Sequence, residues 1–579
     1  MKRRLWIAVG VVVLGCGAVW AVVAVKSALL ATKPALAAML PEGALLSIEA
    51  RDFGSLLKDW DGSKEKRTWL TSDNYSDFSN SRLFSRLSQA QDEFSAAADL
   101  ATDESLLKTV AGKESCLGLY DIGNLEFVYV TKMGSQAIES TPLWQTRAKF
   151  EQRTEAGTPF YVRKDEQSSR TAAFASRDGW LILGTREDLV AGVLDRMAGI
   201  ASHNLATEGW YAETVKQAAG EPGDLRMVLN LDKIVPSPYF RTYWVQQNIT
   251  EMKQYTAAIS DLYRTAQAYR EERVLVRRAG IAAGSQGDVR ALAALAPEDA
   301  AFYAAQASPS PEALVNTLRE NLLEVKAQPS RTWANSAPEA PAAENAGSAA
   351  DLDVSIDHAP AVVAETDVYA PLRALLQAQQ PDASLEVFTT RAPDGRVFVS
   401  LQAAMVISAS RDWNEGSVRE ALSAALAEDL TAGKIGINWA KRSGAAGNYL
   451  ALDGGLSLFV AVKGKQLLVA NDSELLEKLL AAHAGSVSTD TKDGVTYAAV
   501  FRSAQERENF RLLSKQLDLA GQHAVADQQP QPAGDKGPAF FSGDIASLWQ
   551  VFSGVESAEI QERDQGARVT QTVVYTWAR

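Results

Sequence analysis

Apolar positions from Trp180 to Gly199, WLILGTREDLVAGVLDRMAG, first run together and then fall three and four apart. The run predicts a short strand, Trp180 to Leu183, and the spacing of Leu189, Val190, Val193 and Leu194 predicts one face of a helix. Thr185 with Asp188 three residues on makes a capping-box start, and Gly199 suits a left-handed stop. The same pattern returns at Val462 to Gly485. There Leu467 to Val469 is the strand, Asn471 the cap, Glu474 its partner, and Leu475, Leu476, Leu479 and Leu480 the apolar face, with Gly485 as the stop. The register is ungapped, because 467 − 181 and 485 − 199 both equal 286. The agreement of turn, cap, face and stop predicts an internal duplication.

A second landmark supports it. LPEGALLSIEA from Leu40 recurs as APEDAAFYAAQ from Ala296, each a Pro-Glu turn leading into a strand, with a helix-forming stretch next, Phe53 to Trp60 and Glu312 to Leu323. The offset is 297 − 41, or 256, so the second copy holds 30 more residues between landmarks. SAPEAPAAENAGSAADLD, Ser336 to Asp353, is too poor in large apolar side chains to pack and reads as a disordered insertion. Between landmarks, CLGLYDIGNLEFVYVTKM is a hairpin turning near Gly123-Asn124, and LEVFTTRAPDGRVFVSLQ one turning at Pro393-Asp394-Gly395. A helix follows each, started by Thr141-Pro142 in the first copy and supplied by SVREALSAALAEDL in the second. PFYVRK, TAAFAS and WLILG close one unit, and NYLALD, LSLFVAV and QLLVA the other. Tight turns between neighbouring strands make them antiparallel. The fold class expected is therefore α+β: two degenerate repeats with antiparallel sheets and capped helices, after a single N-terminal transmembrane helix.

Each repeat carries a tail. In the first tail Val245 to Arg270 has Val245, Ile249, Met252, Thr256, Ile259, Tyr263 and Ala266 alternately four and three apart, which predicts a long heptad-like helix. The second tail ends in a strand, ARVTQTVVYTW. The expected domains are 1–33, basic stub and anchor; 34–200, first α+β module; 201–290, divergent tail with the long helix; 291–490, second α+β module with insertion 336–353; and 491–579, C-terminal tail module with a flexible loop at 521–538.

The first residues decide location. Lys2, Arg3 and Arg4 precede an uncharged run, Leu5 to Val25, long enough to cross a bilayer core of about 30 Å. The basic cluster stays cytoplasmic, which predicts a single-pass inner-membrane protein with its C-terminal bulk periplasmic. A cleaved signal peptide ending at Ala35 to Ala37 is the rival, although the run exceeds the usual h-region of about 7–15 residues. Cys16 in VLGCGA lies inside the run rather than at its end and reads as a small transmembrane residue. Cys116, in CLGLY, reads as a buried, inert thiol.

Composition narrows the chemistry. A chain of 579 residues suggests about three or four domains, and 46% hydrophobic with 22% charged residues fits a globular protein. A net charge of −13 without a basic cluster argues against nucleic acid. His203, His358, His483 and His523 stand singly, with no HExxH, Cys-x-x-Cys, Gly-x-Ser-x-Gly, P-loop or dinucleotide fingerprint, so no cofactor, metal, nucleotide or catalytic residue is assigned. DLDVSIDH, Asp351 to His358, reads as a solvated acidic patch. WLTSDNYSDFSNSRLF, Trp69 to Phe84, reads as a loop leading to a helix capped at Ser79 or Asn80 and running through Phe94, with a polar groove as the other reading. Dispersed carboxylates among 71 acidic residues leave a spatial pair open.

The N-terminal anchor, the LPEGALLSIEA strand and the GWLILGTREDLVAGVL unit resemble uncharacterised bacterial membrane-anchored envelope proteins of a domain-of-unknown-function family, over most of the ectodomain. The resemblance implies no catalytic residues. The function expected is a non-enzymatic binding or scaffold protein of the bacterial envelope, held in the membrane by one helix and meeting an envelope protein partner. The alternative is a hydrolase or a lipid- or glycan-binding protein with a site between the two modules.

Overall fold

The computed structural model describes residues 35–218, 220–238, 252–282, 287–323, 367–391, 400–431, 437–452, 456–485, 494–503 and 555–577. The expected anchor, the insertion at 336–353, the Pro393-Asp394-Gly395 turn, the acidic patch at 351–358 and the loop at 521–538 lie outside the described residues. Among the described residues no helix is long and apolar enough to cross a membrane. The chain divides into two compact units, Met1–Asp59 with Ser85–Asp261, and Trp60–Phe84 with Leu262–Arg579.

The first unit holds β1 (Leu46–Ala50), β2 (Ser115–Asp121), β3 (Glu126–Lys132), β4 (Glu151–Glu155), β5 (Thr158–Lys164), β6 (Thr171–Arg177), β7 (Trp180–Gly184) and β8 (Leu225–Asn230). Their order across the sheet is β4-β5-β6-β7-β3-β2-β1-β8, antiparallel throughout. Local chemistry sets the hairpins. Asp178 and Gly179 both have positive φ, 51° and 78°, the two-residue turn that matches strand twist. A β-carbon at Gly179 would stand 3.2 Å from the Gly134 Cα and take up a strained positive φ, so the corner favours glycine.

β9 (Tyr255–Arg264) carries the residue at which the units divide. The second unit then holds β10 (Ala268–Arg277), β11 (Phe302–Ala307), β12 (Pro381–Arg391), β13 (Ser400–Ala409), β14 (Trp439–Gly444), β15 (Gly447–Leu452), β16 (Leu458–Lys463), β17 (Gln466–Ala470), β18 (Tyr497–Phe501), β19 (Val555–Asp564) and β20 (Arg568–Trp577). Its order is β14-β15-β16-β17-β13-β12-β11-β18-β19-β20-β10, again antiparallel. The first eight of these repeat the first unit's order, each label raised by ten. The mixed α+β class with antiparallel sheets is thus what the chain shows.

Register matches as well as order. One row across the first sheet reads Arg226, Glu49, Cys116, Val130, Ile182 and Ala175. The corresponding row of the second reads Ala498, Ala305, Leu385, Val406, Leu468 and Ala461. On that face, the helix Glu187–Met197 buries Leu189, Val190, Val193 and Leu194 in the first unit, and the helix Ser473–Gly485 buries Leu475, Leu476, Leu479 and Leu480 in the second. The Gly199 stop is left-handed at φ +71°.

Three local expectations are corrected. The heptad-like helix does not form at its C-terminal part, because Tyr255–Arg264 and Ala268–Arg277 are strands. Tyr255, Ala257, Ile259 and Asp261 are buried in strict alternation, and residues four apart, such as Ile259 and Tyr263, satisfy a period of two as well as a helical one. Thr185 and Asn471 do not cap helices. Thr185 Oγ1 accepts from the Phe127 N–H at 2.9 Å, and Asn471 Oδ1 accepts from the Ala403 N–H at 2.8 Å, tying each strand-to-helix corner to the neighbouring strand. The cap lies one residue later, where Asp472 Oδ1 accepts from the Leu475 N–H at 3.0 Å, while Arg186 makes no side-chain cap. The Trp69–Phe84 stretch is not a loop, because Asp73–Ser79 is helical, and the next helix, Arg82–Ala98, is capped by Ser81, whose Oγ accepts from the Phe84 N–H. Thr141 caps its helix as expected, accepting from the Trp144 N–H at 3.2 Å.

Candidate functional site

The sheet face away from the Glu187–Met197 helix is not filled. The helix Arg82–Ala98 turns Leu87, Ala90, Gln91 and Phe94 inward at i, i+3, i+4 and i+7, and the helix Glu104–Val110 adds Leu106, Leu107 and Val110. Their floor is a row across the sheet, Ile48, Leu117, Tyr129 and Leu183. Between walls and floor lies a cavity of about 510 Å3, within the first unit. Leu87 and Leu107 are 42% and 40% exposed and mark its mouth.

Polar groups in the lining are engaged by the protein itself. The Tyr129 hydroxyl lies 3.2 Å from both the Val110 carbonyl and Ser115 Oγ, and Ser115 Oγ is 2.7 Å from Thr131 Oγ1. The Gln91 amide donates to the Thr102 carbonyl at 2.9 Å, and Asp103 caps the Glu104–Val110 helix by accepting from the Leu106 N–H at 3.1 Å. What faces the void is hydrocarbon, a surface that prefers apolar matter to water.

The Arg82–Ala98 wall is held by arginines at its outer side. Arg86 donates to the Gly123 carbonyl at 2.7 and 3.1 Å, at the tip of the β2–β3 hairpin. Arg170, almost fully buried, pairs with Glu93 at 2.8 Å and donates to the Asn124 carbonyl. Arg163 donates to the Ala96 and Ala97 carbonyls.

The opposite sheet face carries a buried polar cluster. Glu49 Oε1 accepts from the Tyr211 hydroxyl at 3.0 Å and the Ala37 N–H at 3.2 Å. Arg226, opposite Glu49 in register, makes two 2.8 Å bonds to Asp261, which also accepts from the Gly223 N–H at 2.9 Å. Burial raises the Glu49 carboxyl above its ordinary value and pushes the Cys116 thiol well up, which leaves that thiol inert. The second unit places Ala305, Leu385 and Ala498 at the positions of Glu49, Cys116 and Arg226.

The cavity floor has counterparts too: Ala304, Glu386, Met405 and Val469. There Met405 and Val469 belong to one packed cluster with Leu314, Leu318, Leu372 and Leu376. The same sheet face is therefore covered by leucine-bearing helices in one unit and hollow in the other.

The sequence candidates fall elsewhere. His203 is exposed, 3.6 Å from Glu42, and His483 is half-buried; among the described residues no three potential ligands gather for a metal. Trp69, Tyr75, Phe78 and Phe84 form an edge-to-face aromatic chain. The cavity itself is not legible in the sequence, because its lining is drawn from Ile48 to Leu225 and from eight separate elements. The available signal is Leu87, Ala90 and Phe94 at helical spacing, with Leu87 left exposed on the helix Arg82–Ala98.

No protein-family model and no curated protein matches the chain. A solved structure titled "Structure of crystal form I of TP0453" is structurally similar over 43% of this chain and 81% of its own, with 8% identity and a TM-score of 0.25. A likeness that distant carries no argument about function.

Proposed function

We propose that this chain is a non-enzymatic, membrane-anchored binding protein of the bacterial envelope, built by internal duplication, whose first copy holds an apolar ligand while the second is a scaffold. The observation that carries the reading is the 510 Å3 apolar cavity, a size within the range of about 300–1,000 Å3 that small-molecule sites occupy. Each methylene moved from water into such a cavity contributes about 0.8 kcal/mol, so one hydrocarbon ligand gains enough to bind without any charged contact. Duplication is supported by two sheets with one strand order, one register, and the Thr185 and Asn471 side chains doing the same job. The uncharged run Leu5 to Val25 behind Lys2, Arg3 and Arg4 supports the anchor and the periplasmic placement of the rest.

The lipid-binding alternative thus gains over a pure scaffold, with its site inside the first copy rather than between copies. Native mass spectrometry of the full chain released from detergent tests it. A one-to-one adduct of lipid mass is expected, and Ala90→Trp, which fills the cavity from its wall, should remove it. A chain that carries no such adduct, or one that Ala90→Trp leaves in place, would refute the reading.

A further inference from the structure

We infer that the cavity accepts a single acyl chain whose head group carries no negative charge, such as a monoacylglycerol, and discriminates against free fatty acids. This rests on the apolar-ligand reading above and adds the ligand's class.

Volume sets the chain number. A cavity of about 510 Å3, open at the Leu87 and Leu107 lip, accommodates one acyl chain of medium length.

Charge sets the head group. The lining contains no Lys, Arg or His, and its one charged side chain is Asp103, exposed beside Leu107 at the mouth. The arginines of the adjoining wall are committed: Arg86 to the Gly123 carbonyl, Arg163 to the Ala96 and Ala97 carbonyls, and Arg170 to Glu93 and the Asn124 carbonyl. A carboxylate or phosphate at the mouth would meet the Asp103 carboxylate with no cation in the lining to offset it, since Lys108 beside Leu107 is paired with Glu104 at 3.0 Å, and partial desolvation would worsen the repulsion. Hydroxyl groups would instead donate to Asp103, and to the Gln91 and Thr102 oxygens beside it, as a glycerol head can.

Competition in native mass spectrometry reads this directly. The full chain is offered equimolar 1-monomyristoylglycerol and myristic acid, which share one chain length. The wild type should show the glyceride adduct at least about tenfold over the acid. Asp103→Asn keeps the helix cap, since Asn caps as well as Asp, and should shrink that ratio several-fold. Leu107→Arg places a cation at the lip and should turn the preference toward the acid. Equal adducts on the wild type, or a ratio that neither variant moves, would overturn the selectivity while leaving the cavity's apolar function standing. Absence of both adducts would instead bring down the ligand-binding reading itself.

Discussion

Glu272 stands directly opposite Thr572 across the β10–β20 pair, and the two are also counterparts, 300 residues apart. β9 and β19 are each ten residues long, as are β10 and β20, and 555 − 255 and 568 − 268 both equal 300. In an antiparallel pair of equivalent strands, only one position can face its own counterpart, and that position lies on a local two-fold axis. Such self-complementary pairing is how two identical subunits join through one patch.

That pairing predicts a crosslink. Directly opposed residues of an antiparallel pair have Cα atoms about 4.5–5.5 Å apart, within the reach of a disulfide. Glu272→Cys with Thr572→Cys should therefore oxidise within the chain, while Cys116, buried in the first unit, stays reduced. Non-reducing electrophoresis after proteolysis would show residues 272 and 572 in one linked fragment. Failure to link under mild oxidant would mean the strands do not pair in this register.

The helix faces predict parallel damage. Leu194 and Leu480 are 0% and 1% exposed at matching positions, so Leu194→Asp and Leu480→Asp each bury an unpaired charge. Each should cost on the order of 4 kcal/mol and unfold its own unit first, seen as a lost step in thermal denaturation. Arg186→Ala, which removes exposed pairs to Glu126 and Asp188, should stay within about 0.5 kcal/mol.

These pairs also show what a single sequence can carry. The strand-to-helix units were legible because strand, helix and stop are local: apolar runs, three-four spacing and Gly199 all act within one turn or two. The corner residues were legible as special but not in role. Thr185 and Asn471 prefer caps by type, yet each spends its oxygen on a strand about 60–70 residues earlier, a partner no local rule names. β9 resembles a helix in sequence because residues four apart, such as Ile259 and Tyr263, share a face in a strand as well as in a helix, whereas those three apart, such as Thr256 and Ile259, fall on opposite faces of the strand. The cavity is illegible since a void is made by what side chains from eight elements fail to fill.

The corner bonds give a third test. Thr185→Val keeps shape and removes the acceptor, leaving the Phe127 N–H unpaired, at about 1–3 kcal/mol. Asn471→Ala should act alike on Ala403. Asp472→Ala, losing the true cap, should cost about 1 kcal/mol. Urea midpoints at constant slope would measure all three. If Asp472→Ala exceeded Asn471→Ala, the cap and not the strand tie would hold that corner.

Glu49 supplies the last prediction, in pH. Burial is the largest influence on its carboxyl and raises it above 4.5, against smaller lowering effects from the Tyr211 hydroxyl, the Arg226 charge and the Ala37 N–H. Between 4.5 and the raised folded value, the folded state holds a proton that the unfolded state has released. Unfolding then releases a proton, so the stability contributed by this group is full below 4.5 and declines as pH rises through the folded value, by at most about 1.4 kcal/mol per pH unit inside that window. Glu49→Gln keeps an oxygen to accept from Tyr211 and Ala37 but cannot ionise. The difference in unfolding free energy, wild type minus variant, should therefore fall from acid toward neutral pH and level off above the window. A difference that rises instead would show that attraction to Arg226 outweighs desolvation at this site, and that the row of Glu49, Cys116 and Arg226 is held together by charge rather than merely tolerating it.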